Sequence, residues 1–339
     1  MRSEYEKIYA KLKEQASHRN YEWFQAYGRP GMKNGLMVVG RAVNGWRSFT
    51  ANDEFDKLYK ETPEPLEDGN EGDVASYFSG GYNINTSAFW RTVRNVAKGL
   101  YQCNDKDFGK NMVYSNLYKI ALPGANPDYV LQRLQLPECI NILKKEIQYW
   151  EPSAVLFLTD WNWAEPFITS PELNFVSEEN SFEKLKACGT LLTKNCRATV
   201  IPHPQGKKER LLAGQAIAFF QNFNSLYEEI SSISGGLERK WQFNDRSEEI
   251  YFTTPPVWEN SGVPLLLQTD LNLLCFRVGI WSRDKKFIPL SQYLSQKLGL
   301  NFRCNSAWCG GYTEVKFCDA NDYDIGLADL VKKIYGALK

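Results

Sequence analysis

The sequence predicts an α/β protein: a three-layer α/β/α sandwich around a parallel four-stranded central sheet, followed by a smaller C-terminal α+β domain. Three observations predict it. Short continuous apolar runs, the mark of strands buried on both faces, alternate with longer amphipathic stretches. That alternation gives a mostly parallel sheet with helices packed on it. The 339 residues suffice for two domains at roughly 150 residues each. Residues 231–236, SSISGG, read as the linker between a domain over 1–232 and another over 236–339.

The elements follow in order. Residues 4–27 read as one or two amphipathic helices, with Tyr5, Ile8, Tyr9 and Leu12 at helical spacing. Residues 35–40, GLMVVG, form the first buried strand and end in a tight loop. The polar, glycine-rich and aromatic stretch from Asn44 to Asn85 is long for a connection, which marks it as functional. A helix over 88–100 and a strand over 112–117 come next. The helix over 136–150 carries Ile140, Leu143, Ile147 and Trp150 on one stripe. Strands at 154–159 and 198–202 and a helix over about 208–230 close this half. Beyond the linker, strand-like pieces at 249–252, 271–281 and 314–317 frame helices near 290–298 and 325–338.

Composition bounds the function. Forty basic and forty acidic residues give zero formal charge, which argues against a strongly basic nucleic-acid coat but permits a local basic groove. Aromatic residues reach 14%, enough to fill cores and to offer stacking faces to nucleobases. No run approaches the ~20 apolar residues of a membrane span. The N-terminus is too charged for a signal-peptide core, so a soluble, cytoplasmic protein is expected. Eight cysteines include no CxxC pair, and His18 and His203 are the only histidines. A histidine-rich metal centre is excluded and buried thiols are expected, so no cofactor is predicted.

Parallel sheets bind ligands at the carboxyl ends of their strands. Here those ends carry Gly40 to Gly45, Asn116 to Lys119, Thr159-Asp160 and His203-Pro204. Four blocks in that order resemble the uracil-DNA glycosylase superfamily over residues 30–225. They are Met37-Val38-Val39-Gly40-Arg41-Ala42-Val43-Asn44-Gly45, Ser115-Asn116-Leu117-Tyr118-Lys119, Cys139 through Leu158, and Ile201-Pro202-His203-Pro204. Ala88-Phe89-Trp90-Arg91 is also similar to a helix start of that family.

The resemblance implies a monofunctional enzyme that flips a base out of DNA and hydrolyses its N-glycosidic bond, with DNA as partner and no membrane. The residues fit that chemistry. An extruded base needs a close backbone turn, an aromatic face, an amide to read its edge and a donor for the leaving base. Gly40, Arg41 and Ala42 supply the turn, Phe78, Tyr82 or Tyr77 the face, Asn116 the amide and His203 the donor. Lys207, Lys208 and Arg210 suit DNA phosphates, with Leu211 or Leu212 as a wedge. Each has a plainer reading: Asn116 as a helix cap, Phe78 and Tyr82 as core, His203 as an ordinary satisfied histidine, and the basic run as a solvated face.

The departures sharpen the expectation. The family's first motif often holds Asp or Asn at its third place to position water; here that place is Ala42, as in the iron–sulfur branch. Asn44 is then the nearest side chain able to orient water, with Asp53 and Asp73 as further candidates. The bulky tyrosine of uracil-selective members is replaced by the smaller Asn44-Gly45 stretch, which implies a base larger than uracil, such as a modified cytosine of phage DNA. The alternatives are a catalytically inactive nucleic-acid sensor of the same fold, and a C-terminal nuclease using Asp270, Asp284, Glu314 and Lys316 around Mg²⁺. The iron–sulfur branch holds its cluster with cysteines upstream of the first strand, whereas the first cysteine here is Cys103. Purified protein is therefore expected to be colourless. Stoichiometric iron and sulfide in a metal assay would contradict this reading of the cysteines.

Overall fold

The computed structural model describes residues 1–14, 19–28, 32–42, 47–61, 84–101, 103–104, 108–179, 183–192, 196–222, 229, 240–244, 249–253, 265–270, 275–280, 285–306, 309, 311–319 and 326–338. The chain divides into two compact units: Met1–Ala97 with Cys103–Lys207, and Lys98–Gln102 with Lys208–Lys339. The segment 231–236 lies outside the described residues, and the division after Lys207 falls before it.

In the first unit, α1 (Arg2–Glu14) buries Tyr5, Ile8, Tyr9 and Leu12, the stripe its spacing dictates. The helical reading of the next residues is corrected. After α1 the chain forms β1 (Asn20–Trp23) and β2 (Tyr27–Gly28). β1 pairs antiparallel with β4 (Arg47–Thr50) and with β6 (Ile120–Ala121), setting Tyr21 opposite Phe49. Their rings lie 5.6 Å apart, and Trp23 meets Phe49 edge-on at 5.6 Å and Tyr5 at 5.0 Å. Cross-strand aromatic pairing thus overrides a local pattern that fits either period.

Among the described residues the main sheet has seven strands, in the order β2-β5-β3-β7-β10-β9-β8, and is mixed. β3 (Leu36–Ala42) pairs parallel with β5 (Met112–Tyr118) and with β7 (Ala154–Leu158), and β7 pairs parallel with β10 (Arg197–Ile201). β2, β9 (Ala187–Thr190) and β8 (Val176–Ser177) extend it antiparallel. The four-strand expectation is corrected in that respect. The added strands are two to four residues long and carry no continuous apolar run. Helices α2 (Phe55–Glu61), α3 (Ala88–Leu100), α4 (Tyr129–Trp150) and α5 (Trp161–Ile168) complete the described elements up to Lys207. α4 starts earlier than its apolar stripe suggests, because Asp128 caps it by accepting from Leu131 N at 2.9 Å.

A buried polar cluster ties β5 to α4. Lys119 Nζ donates to Glu146 Oε1 at 2.8 Å and to Ser115 Oγ at 2.7 Å, and Ser115 Oγ donates to Glu146 Oε2 at 2.7 Å. Gln135 Oε1 accepts from Lys119 N and Ile120 N at 3.0 and 2.9 Å, and from Cys139 Sγ at 3.3 Å. Burial pushes the Cys139 thiol up to about 12, as expected of a protonated core cysteine. Much of the sequence shared by the second and third blocks is therefore structural.

The second unit contains α6 (Glu209–Phe220), shorter than the helix expected to Ile230, and a five-stranded antiparallel sheet in chain order. Its strands are β11 (Lys240–Asn244), β12 (Glu249–Thr253), β13 (Leu265–Asp270), β14 (Cys275–Ile280) and β15 (Tyr312–Lys316). α7 (Ile288–Leu298) and α8 (Leu327–Leu338) complete it. Glu314 is paired with Arg277 at 3.1 Å and Arg303 at 3.7 Å. Among the described residues, no group of three or more His, Cys, Asp or Glu side chains is placed to hold a metal. Also among them, no helix is long and apolar enough to cross a membrane.

The buried ion pair makes an uneven demand on its two partners. Lys119→Met alone leaves Glu146 charged and buried, and is expected to cost about 3–5 kcal/mol in urea unfolding. The double variant Lys119→Met/Glu146→Leu should recover most of that loss. A single variant as stable as wild type would show that the pair is not desolvated as described.

Candidate functional site

Parallel pairing brings the carboxyl ends of β3, β5, β7 and β10 to one edge of the sheet. The side chains of β5 alternate, so Ser115 faces α4 while Tyr114 and Asn116 face the other way. On that second face Tyr114 packs edge-on against Phe89 at 5.8 Å and Trp90 at 5.0 Å, both from the first turn of α3. Phe89 in turn lies 6.3 Å from the His203 ring, with the two planes 34° apart. Ser87 Oγ accepts from Trp90 N at 3.4 Å and steadies that turn.

Asn116 is wholly buried next to Gly40, its parallel partner in register. A Cβ on residue 40 would overlap the Asn116 amide, so glycine is required there by close approach. Tyr114 Oη donates to Asn116 Oδ1 at 3.1 Å, while Asn116 Nδ2 has no hydrogen-bond partner. A buried amide N–H without an acceptor costs free energy unless a ligand supplies one. Sequence reasoning gave this amide both a donor and an acceptor to offer; the hydroxyl of Tyr114 occupies the acceptor and leaves the donor.

His203 follows β10 and is half-buried. Its Nδ1 accepts from Gln205 N at 3.5 Å, which leaves Nε2 to carry the ring proton and donate. Lys207 Nζ donates to the His203 carbonyl at 2.9 Å, closing the turn. Burial first, and then the Arg41 guanidinium, hold the imidazole below the usual histidine range; Lys207 acts the same way and Asp160 opposes.

Arg41 leaves the Gly40–Asn116 face. Its Nε donates to Thr159 O at 2.9 Å, its Nη2 pairs with Asp160 Oδ2, and its guanidinium lies over Trp163 at 5.6 Å. Ala42 pairs with Tyr118 and packs with Phe24 and Ala121. Asp53 caps its own turn, accepting from Thr50 N at 2.6 Å. Asn44, Asp73, Tyr77, Phe78 and Tyr82 lie outside the described residues. Lys208 and Arg210 belong to the second unit, whereas Lys207 belongs to the first.

Sequence reasoning passed over three participants. Tyr114 sits two residues before Asn116, on the same face of one strand, a signal that alternation alone provides. Phe89 stands in the helix start already singled out. Asp160 was named only among the polar residues at the strand ends, with no role of its own. No family model matches the chain, and no curated protein is significantly similar to it.

The position of the imidazole carries a pH consequence. With its pKa depressed on folding, His203 takes up its proton more readily in the unfolded chain. Its contribution to stability is full above the ordinary histidine value of about 6.5 and is lost as pH falls from there through the lower pKa of the folded state. An NMR titration of the two imidazoles is expected to give His203 a midpoint below ~6.5. A midpoint above that value would contradict the described surroundings.

Proposed function

We propose that this protein is a monofunctional DNA glycosylase that flips out a damaged or modified base and hydrolyses its N-glycosidic bond, leaving an abasic site. The observation that carries the reading is the orphaned amide of Asn116. It is a buried donor at a strand end, with the unsubstituted Gly40 beside it and the Nε2–H of His203 on the same aromatic cluster. In this reading Asn116 Nδ2 donates to a carbonyl on the base, and Phe89 adds an aromatic wall to any supplied by Phe78 or Tyr82.

As the glycosidic bond breaks, its electron pair passes to the base nitrogen and an oxocarbenium character develops on the sugar. His203, neutral and donating through Nε2, stabilises the negative charge on the leaving base. Water adds to the anomeric carbon, and its proton is lost to solvent or to the departing base. Asn44 is the nearest side chain in sequence to orient that water, because Ala42 has no polar atom. The small Asn44-Gly45 stretch supports a base larger than uracil, including a modified cytosine of phage DNA. Lys207, Lys208 and Arg210 contact backbone phosphates in this scheme, and the work is cytoplasmic. A three-layer sandwich with a parallel four-stranded centre is the arrangement the reading entails.

One observation favours a second reading. Ala42 packs against apolar side chains where a water-positioning group would stand, which suits a sensor that binds nucleic acid without cleaving it.

Incubation with single- and double-stranded DNAs bearing different modified bases, followed by alkali cleavage, separates the two. Wild type is expected to yield abasic sites from at least one bulky pyrimidine. His203→Ala should lower that rate by about 10²–10³ with DNA affinity kept, since the bond it makes strengthens chiefly in the transition state. Asn116→Ala should lose discrimination between bases as well as rate. Release from none of the substrates leaves the sensor.

A further inference from the structure

Asp160 stands between β7 and α5 with φ 65° and ψ 158°. That region of backbone space is nearly reserved for glycine. It occupies the N-cap of α5, a place where aspartate ordinarily accepts from the helix's first amides, yet its side chain makes no capping bond. The carboxylate turns the other way. Oδ1 accepts from His203 N at 3.1 Å and lies 4.0 Å from Lys207 Nζ, and Oδ2 pairs with Arg41. The Asp160 main-chain N–H donates to Ile201 O at 3.2 Å. One carboxylate thus joins the ends of β3, β7 and β10. A backbone suited to glycine that nevertheless carries a side chain, with the usual use of that side chain forgone, is how strain is retained at functional sites.

We infer that Asp160 is a positioning residue: its carboxylate holds the His203 main chain and the Arg41 guanidinium in place, so that the imidazole presents Nε2–H at the strand ends. What the imidazole acts upon rests on the glycosylase reading; the positioning does not. Among the described residues, the charged groups facing the ring are Arg41 from β3, Asp160 behind β7 and Lys207 on its own turn, with Phe89 contributing an uncharged face from α3.

Asp160→Gly tests this, because glycine adopts the native backbone there without penalty and only the carboxylate is lost. The variant is expected to melt no lower than wild type. Its His203 amide should lose protection from hydrogen exchange, and its imidazole midpoint should fall, since Arg41 and Lys207 would act unopposed. On a DNA that wild type cleaves, base release should drop roughly 10–100-fold with DNA affinity little changed, as for other residues that orient a site side chain. Asp160→Asn, which keeps the shape and one acceptor, should fall between the two and serves if the glycine variant does not fold. A variant that melts lower while the His203 amide and imidazole signals stay in place would make the carboxylate a structural strut and overturn the inference. If those signals move as expected but wild type releases no base from any DNA, the glycosylase reading fails and the positioning stands.

Discussion

The ion pair between Lys119 and Glu146, bridged by Ser115, fixes what the rest of the first unit can do. Desolvating two charges yields little net stability, so the pair acts by exclusion. Side chains alternate along a strand, and a register slip of one residue would carry Ser115 to the opposite face and bring Asn116 against Glu146. Pinning Ser115 on α4 therefore sends Asn116 toward Gly40 and Tyr114. Gln135 completes the restraint by holding the main chain where β5 turns into β6.

The sheet edge brings together two different surroundings, one aromatic and one charged. Tyr114, Phe89 and Trp90 form an aromatic cluster beside the buried Asn116 amide, whose Nδ2 has no hydrogen-bond partner. Arg41, Asp160 and Lys207 surround the His203 turn with charge, and burial, ahead of these charges, holds the imidazole below the usual histidine range. A neutral donor can act on a developing anion without first binding it as a counterion.

The four longer strands of the main sheet were legible because burial on both faces writes itself as an unbroken apolar run. Residues 20–28 were not, since they follow directly on the helical stripe of Tyr5, Ile8, Tyr9 and Leu12, and the pairing of Tyr21 with Phe49 far along the chain decides for strand. Among the site residues, Gly40, Asn116 and His203 were readable from their places at strand ends. The orphaning of Asn116 Nδ2 was not, because it depends on which neighbour claims the amide oxygen. Asp160 was legible as a polar residue at a strand end, but nothing local says that its carboxylate turns to Arg41 and the His203 main chain.

The outer members of the main sheet have a consequence of their own. Its flanks are β2 and β8, each two residues long and each paired antiparallel to a longer neighbour. A sheet that ended on the bare side of β5 or β9 would present a row of unsatisfied main-chain groups, a template on which another extended chain can grow. Flanks this short offer too few ladder bonds to seed such growth.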